Sequence, residues 1–397
     1  MNYNKPIFKA GILSLSLVSM AAPAIAATLP FISEALPSVS QTSIEMLMSV
    51  PNLGILSALL LSPFIINLIG KRPTVLSGLV IALISGIVPF FTLNYTAMLV
   101  SRFLLGFGLG LFDALATALI NITYEGATRE KLLGYSGAVQ AFGSSLLTLL
   151  VGILMGINWR TTFLIYLIIL VPLVLFGIFV PKLDVDKVES QKGEQKLAKE
   201  KISINMTIIM YAIYLFLVFS SFITVVFRLA PLVIEGGYGT AAQASMISAL
   251  RTGVGFISGL TFGIVKGRFK ESTAPLSLGF MGILFIGLSL SNTLLLTTII
   301  SVLIGIFFGY INPSVFSAVA KATDKASQTV GITILIIAIN LGVALNPILL
   351  SFAGQAFNNH SIGFSLTFTG SVLLLVAIIQ FILVKKFPIS TKKVTST

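Results

Sequence analysis

Four ionisable residues stand inside long apolar stretches of this 397-residue chain: Arg102, Asp113, Arg228 and Arg251. A charge in hydrocarbon costs about 2.5–3.5 kcal/mol on insertion scales, so each of them calls for a partner or a function. With about 100° per residue, Arg102, Gly106, Gly110, Asp113 and Thr117 share an arc of roughly 80° on a helix, and Arg102 lies about 16 Å along the axis from Asp113. The two therefore cannot pair with each other. Asp113 is the one carboxylate well inside an apolar run, and a carboxylate so placed can take up and release a proton as its surroundings change, which makes it the candidate for proton coupling or cation binding. Arg102 reads as a structural or gating arginine held by a carboxylate such as Glu45 or by carbonyls, or alternatively as a substrate ligand. The glycines between them leave room either for a close helix neighbour or for a ligand.

A second stripe, Tyr214, Ser221, Thr224 and Arg228, has the aromatic and hydroxyl character that suits an amphipathic solute, although Arg228 is close enough to the end of its run to snorkel. Arg251 falls about midway along its run, and Asn312, Asn340 and Asn346 add polar groups to later runs. Glu34 and Glu45 are expected at the outer surface in solvent, Trp159 and Arg160 as an interface anchor, and His360 in an exposed loop. There are no cysteines and one histidine, which excludes disulfides, thiolate metal sites and cysteine nucleophiles and leaves no basis for a metal or other cofactor. No Gly-rich loop ends in Gly-Lys-Ser or Gly-Lys-Thr, so ATP-driven pumping is not expected, and nothing points to an enzyme.

The elements that must position these residues are helices in a membrane. Hydrophobic residues make up 56% of the chain and charged residues 10%, against about 25% charged in soluble domains. Apolar runs long enough to cross a bilayer fall near 8-32, 43-66, 73-93, 97-121, 133-157, 161-181, 206-230, 239-265, 273-292, 294-320, 327-353 and 363-384. This predicts an all-α membrane protein with twelve transmembrane helices. The net charge of +12 is distributed by side: Lys5, Lys9, Lys71, Arg72, Arg129, Lys131, six lysines from Lys182 to Lys201, Lys266, Arg268, Lys270, Lys321, Lys325 and the tail lysines lie on one face, with Arg160 opposite. By the positive-inside rule both termini are cytoplasmic, in the cell inner (plasma) membrane, and the excess charge sets topology rather than binding nucleic acid. Lys5, Lys9 and Ala24-Ile25-Ala26 imitate a secretory signal and its cleavage site; the reading favours an uncleaved first span, because cleavage would leave eleven spans and break the pairing of halves.

The stretch over 182-205 is a hydrophilic linker that divides the chain into an N-terminal six-helix bundle (1-181) and a C-terminal six-helix bundle with a short tail (206-397). The halves echo each other at an offset of about 200 residues. Arg102, Gly106, Gly110 and Asp113 are matched by Ser301, Gly305, Gly309 and Asn312, Gly143 by Gly342, and the turn Asn67-Leu68-Ile69-Gly70-Lys71-Arg72 by Gly267-Arg268-Phe269-Lys270. A repeat of six plus six spans with a central site is a known transporter plan.

With the Pro23 to Pro30 segment Pro-Ala-Ile-Ala-Ala-Thr-Leu-Pro, the basic turn Gly70-Lys71-Arg72, the Arg102 to Gly110 segment and Asn158-Trp159-Arg160 in this order, the chain resembles the major facilitator superfamily over nearly its whole length. Within that superfamily it resembles the twelve-span drug and metabolite exporters. The family's turn between spans 2 and 3 carries an aspartate where this chain has Asn67 and an arginine where it has Leu68, and Gly143 is followed by Ser144 rather than by the proline that marks many antiporters. The resemblance implies a central cavity lined by spans 1, 4, 7 and 10, with Asp113, Arg228 and Asn312 close to a substrate path and the Asn67 to Arg72 and Gly267-Arg268 turns as gates. The expected function is a secondary active transporter moving a small organic solute by alternating access. Proton-coupled efflux by a monomer is the first reading; a carrier of an anionic or zwitterionic metabolite is the alternative, motivated by three intramembrane arginines against one aspartate.

Overall fold

A computed structural model describes residues 6–180, 206–322 and 325–386; the expected linker at 182-205, Lys5 and the tail beyond 386 lie outside them. The described residues are helical throughout, joined by short turns. In order the helices are α1 (Pro6–Ser16), α2 (Leu29–Ala35), α3 (Gln41–Ile69), α4 (Lys71–Phe91), α5 (Tyr95–Thr123), α6 (Gly126–Met155), α7 (Leu170–Phe179), α8 (Met206–Glu235), α9 (Ala241–Gly253), α10 (Gly255–Phe269), α11 (Thr273–Ser289), α12 (Leu294–Ala322), α13 (Lys325–Ala356) and α14 (Ile362–Lys386). Tighter 3₁₀ segments occupy Ala22–Thr28, Trp159–Ile169 and Lys270–Ser272.

Ten helical stretches among the described residues are long and apolar enough to cross a membrane, not the twelve expected. The first expected span is broken into α1, a 3₁₀ segment and α2, with Pro23 and Pro30 opening the last two. Proline has no N–H to give an upstream carbonyl and crowds the preceding turn, which favours starting a new helical segment at each of these positions, although α3 runs on through Pro51 and Pro63. The expected eighth span is interrupted after Gly253, and its remainder continues through the Lys270 turn into the expected ninth as one stretch, Ile257–Ser289.

The chain forms two compact units, Met1–Ala198 with Ala241–Ala249, and Lys199–Thr240 with Leu250–Thr397. In the first, α5 packs against α3 and α4; in the second, α8 packs against α13, and α11 against α12 and α14. In an apolar medium helices gain nothing from leaving water and associate by close packing, which small residues permit. The glycines of the sequence repeat supply those contacts in matching pairs. A Cβ on Gly106 of α5 would overlap the carbonyl of Pro51 in α3, and one on Gly305 of α12 would overlap the carbonyl of Arg251 in α9. Gly110 lies in the same way on Ile55 and Ala58, and Gly309 on Ser258. Gly143 of α6 meets the Leu17 carbonyl, and Gly342 of α13 meets that of Phe216 in α8. The repeat is therefore one of helix contacts as well as of letters. The room left by these glycines is filled mostly by neighbouring backbone, and at Gly309 by the Ser258 side chain.

Substituting valine for Gly106 should lower the melting temperature of the detergent-solubilised protein, the overpacking costing about 1–3 kcal/mol or more. The same change at Gly134, which has open space around it, should leave melting unchanged.

Candidate functional site

The repeated geometry of these contacts fixes what the α5 stripe can do. Its first half is closed. Arg102 is 1% exposed: Nη1 donates to the Tyr166 hydroxyl at 2.8 Å, Nη2 donates to the Gly86 carbonyl at 3.2 Å, and the guanidinium lies over the rings of Phe163 and Tyr166 at 5.1 and 4.9 Å. Tyr166 is itself fully buried and donates to the Ala21 carbonyl at 3.4 Å, in the break of the first segment. The cage thus ties α5, α4, the 3₁₀ segment Trp159–Ile169 and the end of the α1 break together. One carbonyl and a phenol hold Arg102, where the structural reading offers a carboxylate such as Glu45 or carbonyls. Glu45, expected in outer solvent, is instead 1% exposed, one turn into α3 among Ile44, Leu47 and Met48, and accepts from Gln41 Nε2 at 3.2 Å. Glu34 is exposed as expected.

The second half of the stripe is open. Asp113 and Thr117 are exposed, and Ser19 Oγ donates to Asp113 Oδ1 at 2.5 Å. Ser19 lies in the turn between α1 and the 3₁₀ segment. Among the described residues Asp113 has no basic group at ion-pair distance.

In the second unit the predicted residues divide similarly. Tyr214 is packed in the apolar core among Leu215, Val218 and Phe285, and Ser221 is buried. Thr224 accepts from Asn346 Nδ2 at 2.9 Å, and the same nitrogen donates to the Ser220 carbonyl at 2.7 Å, so this group is a cross-link between α8 and α13. Asn340 donates to the Ile336 carbonyl of its own helix at 2.9 Å. Arg228 is half-buried near the end of α8. Asn312 is partly buried, with an Oδ1 that has no hydrogen-bond partner. Arg251 is 3% exposed, and its guanidinium lies 5.0 Å from the Phe222 ring centroid. Phe222 in turn stacks on Phe308 at 3.7 Å.

Of the expected gating turns, Gly70 takes φ +86° between α3 and α4. Arg72 donates from Nε to the Val180 carbonyl at 2.6 Å and from Nη2 to the Gly177 carbonyl at 2.7 Å, so it caps the C-terminus of α7, where a cation also meets the negative end of the helix dipole. Lys71 is partly buried, and Asn67, Gly267 and Arg268 are exposed. Sequence reasoning did not find Ser19, Tyr166, Phe222 or Phe308. A lone serine or aromatic in an apolar run carries no mark of the charge it will meet.

Comparison with known proteins follows this geometry. A family model described as Major Facilitator Superfamily matches residues 11–347. A curated relative, a Protein TsgA homolog of Buchnera aphidicola subsp. Baizongia pistaciae (strain Bp), is 23% identical over 125 residues, 32% of this chain and 32% of that protein, so the match spans about a third of its length. Similar solved structures include a D-xylose-proton symporter (TM-score 0.73, 16% identity, 95% of this chain and 98% of that one). A POT family transporter in complex with a thioalcohol conjugated peptide (TM-score 0.76, 14%, 96% and 96%) and the nucleoside transporter NupG (TM-score 0.78, 12%, 94% and 99%) share the same architecture. At these identities the likeness is one of fold.

The Arg102 cage yields a direct expectation. Tyr166→Phe removes the acceptor for Nη1 and should destabilise the protein by about 1–3 kcal/mol, read as a lower melting temperature in detergent; an unchanged melt would mean the phenol is not a fixed partner.

Proposed function

The chain belongs to the Major Facilitator Superfamily, and from that premise we propose that it is a proton-coupled secondary transporter of a small organic solute, with Asp113 as the coupling carboxylate. The observation that carries this reading is the company Asp113 keeps. A carboxylate locked to an arginine or lysine is held charged. Asp113 meets the Ser19 hydroxyl instead, and a hydroxyl can donate to the anion or accept from the protonated acid. The contact therefore survives a change of charge state, while the open side of the group gives protons a way in. Arg102, by contrast, gives both terminal nitrogens to fixed acceptors and serves to hold the first unit together.

Ser19 sits at the break between α1 and the 3₁₀ segment, where short turns from Leu17, Val18 and Ala21 N–H to the carbonyls three residues back replace the α-helical ladder. A proton arriving on Asp113 alters the pull on that break, which is the minimal means of linking charge to a change of conformation. Counting the broken first segment and the interrupted α9–α10 segment as crossings gives the twelve-span plan, with the basic loops and both termini on the cytoplasmic side of the cell membrane. Export is the proposed direction, on the resemblance to drug and metabolite exporters. A fold neighbour titled a proton symporter gives precedent for proton coupling in this architecture.

The test is a panel of small organic solutes screened in proteoliposomes and in everted vesicles under an imposed pH gradient. Export coupled to protons appears as accumulation in everted vesicles that an uncoupler collapses, and Asp113→Asn should reduce accumulation to passive equilibration. Full gradient-driven accumulation by Asp113→Asn would remove the coupling role.

A further inference from the structure

The internal repeat acts as a control for one residue. Arg251 stands where the first unit has Pro51: each presents its backbone carbonyl to the glycine of the partner helix, Gly106 in one unit and Gly305 in the other. Only the carbonyl is used in that contact. Helix packing at this place is thus complete without an arginine, and the side chain needs another explanation.

That side chain is 3% exposed. Its Nε and Nη1 have no hydrogen-bond partner, and its guanidinium rests on the Phe222 ring. Burial strips a guanidinium of water, and a ring face replaces only part of what is lost. Snorkelling does not relieve it, because Arg251 is ten residues, or about 15 Å, along from the start of α9. The second buried arginine is better supplied: Arg102 has a phenol on Nη1, a carbonyl on Nη2 and two rings, and only its Nε is without a partner. Arg251 has one ring, and among the described residues its Nε and Nη1 have no acceptor.

The surroundings say what would complete it. Phe222 stacks on Phe308 at 3.7 Å, and Phe219 meets Phe308 edge-on at 5.1 Å, giving an aromatic wall beside the cation. On α12, Ser301, Gly305, Phe308 and Asn312 fall within an arc of about 60°. Gly305 marks the turn that touches Arg251, and two members of this stripe, Ser301 Oγ and Asn312 Oδ1, are buried without hydrogen-bond partners. One forked cation matches one carboxylate in geometry and charge, whereas a phosphate dianion carries two charges. The wall suits an apolar or aromatic body, and the stripe offers polar atoms to substituents on it.

We propose that Arg251 is the anion-binding residue of a substrate site between α8, α9 and α12, and that the solute carried is a monoanionic organic acid with an apolar or aromatic body. This rests on the transporter reading but not on Asp113, since it concerns binding and needs no gradient.

The test uses the purified full chain in detergent, with phenylacetate, its neutral isostere phenylacetamide, and inorganic phosphate as probes of thermal stability. Phenylacetate should raise the melting temperature saturably while the amide and phosphate do not. Arg251→Gln should weaken that effect at least about 30-fold in midpoint concentration, Arg251→Lys less so, and Phe222→Leu should weaken it while keeping the charge. Equal stabilisation by the amide or by phosphate, no stabilisation by phenylacetate, or an undiminished effect in folded Arg251→Gln would each overturn the proposal. The wild-type comparison of acid with amide decides the matter even where the arginine variants fail to fold. Failure here with intact proton-coupled transport of a neutral solute would leave the coupling assignment standing, and the reverse result would separate the two in the other direction.

Discussion

Contact between backbones at glycine is the constraint from which the rest of this structure follows. Helices surrounded by hydrocarbon have little to gain from burying more hydrocarbon, so they hold together where they come close enough for dense packing. Gly106, Gly110 and Gly143 in the first unit and Gly305, Gly309 and Gly342 in the second provide those approaches at equivalent places. Fixing α5 on α3 and α12 on α9 in this way also fixes which faces of α5 and α12 are covered. The polar residues on those faces then inherit their environments.

Those environments separate residues that share a stripe. Arg102 and Asp113 lie on one face of α5, yet the former is sealed among Tyr166, Phe163 and the Gly86 carbonyl and the latter is open beside Ser19. A buried cation held through both terminal nitrogens is fixed in place, whereas a carboxylate met by a hydroxyl can change charge without losing its partner. On the proposed reading, stability and coupling fall to different turns of one helix. The second unit repeats the helix contacts but not the chemistry. Where the first unit has Arg102 it has Ser301, where the first has Asp113 it has Asn312, and its own buried arginine occupies the place of Pro51.

Much of the fold was legible in advance because it depends on patterns a sequence displays directly. Apolar length marked the helices, and the spacing of glycines marked the repeat that later proved to be a repeat of contacts. The breaks were less legible. Pro23 and Pro30 stood in plain view, but prolines are tolerated in membrane helices, so their presence alone did not say that the first segment would divide. Glu45 was misplaced for a related reason: its position one turn into α3 suggested the surface, and the face it turns to was set by packing against the rest of the first unit.

What the sequence by itself determined is the class of protein, the repeat and the short roster of charges inside the apolar runs, since composition and period are properties of the chain. Tertiary structure alone decided which of those charges are satisfied. Tyr166 is 64 residues from Arg102 and Ser19 is 94 from Asp113, and Phe222 reaches Arg251 from another helix. Whether a buried charge is a strut, a switch or a vacancy for a ligand depends on the acceptors that folding brings within about 3 Å, and no spacing along the chain records them.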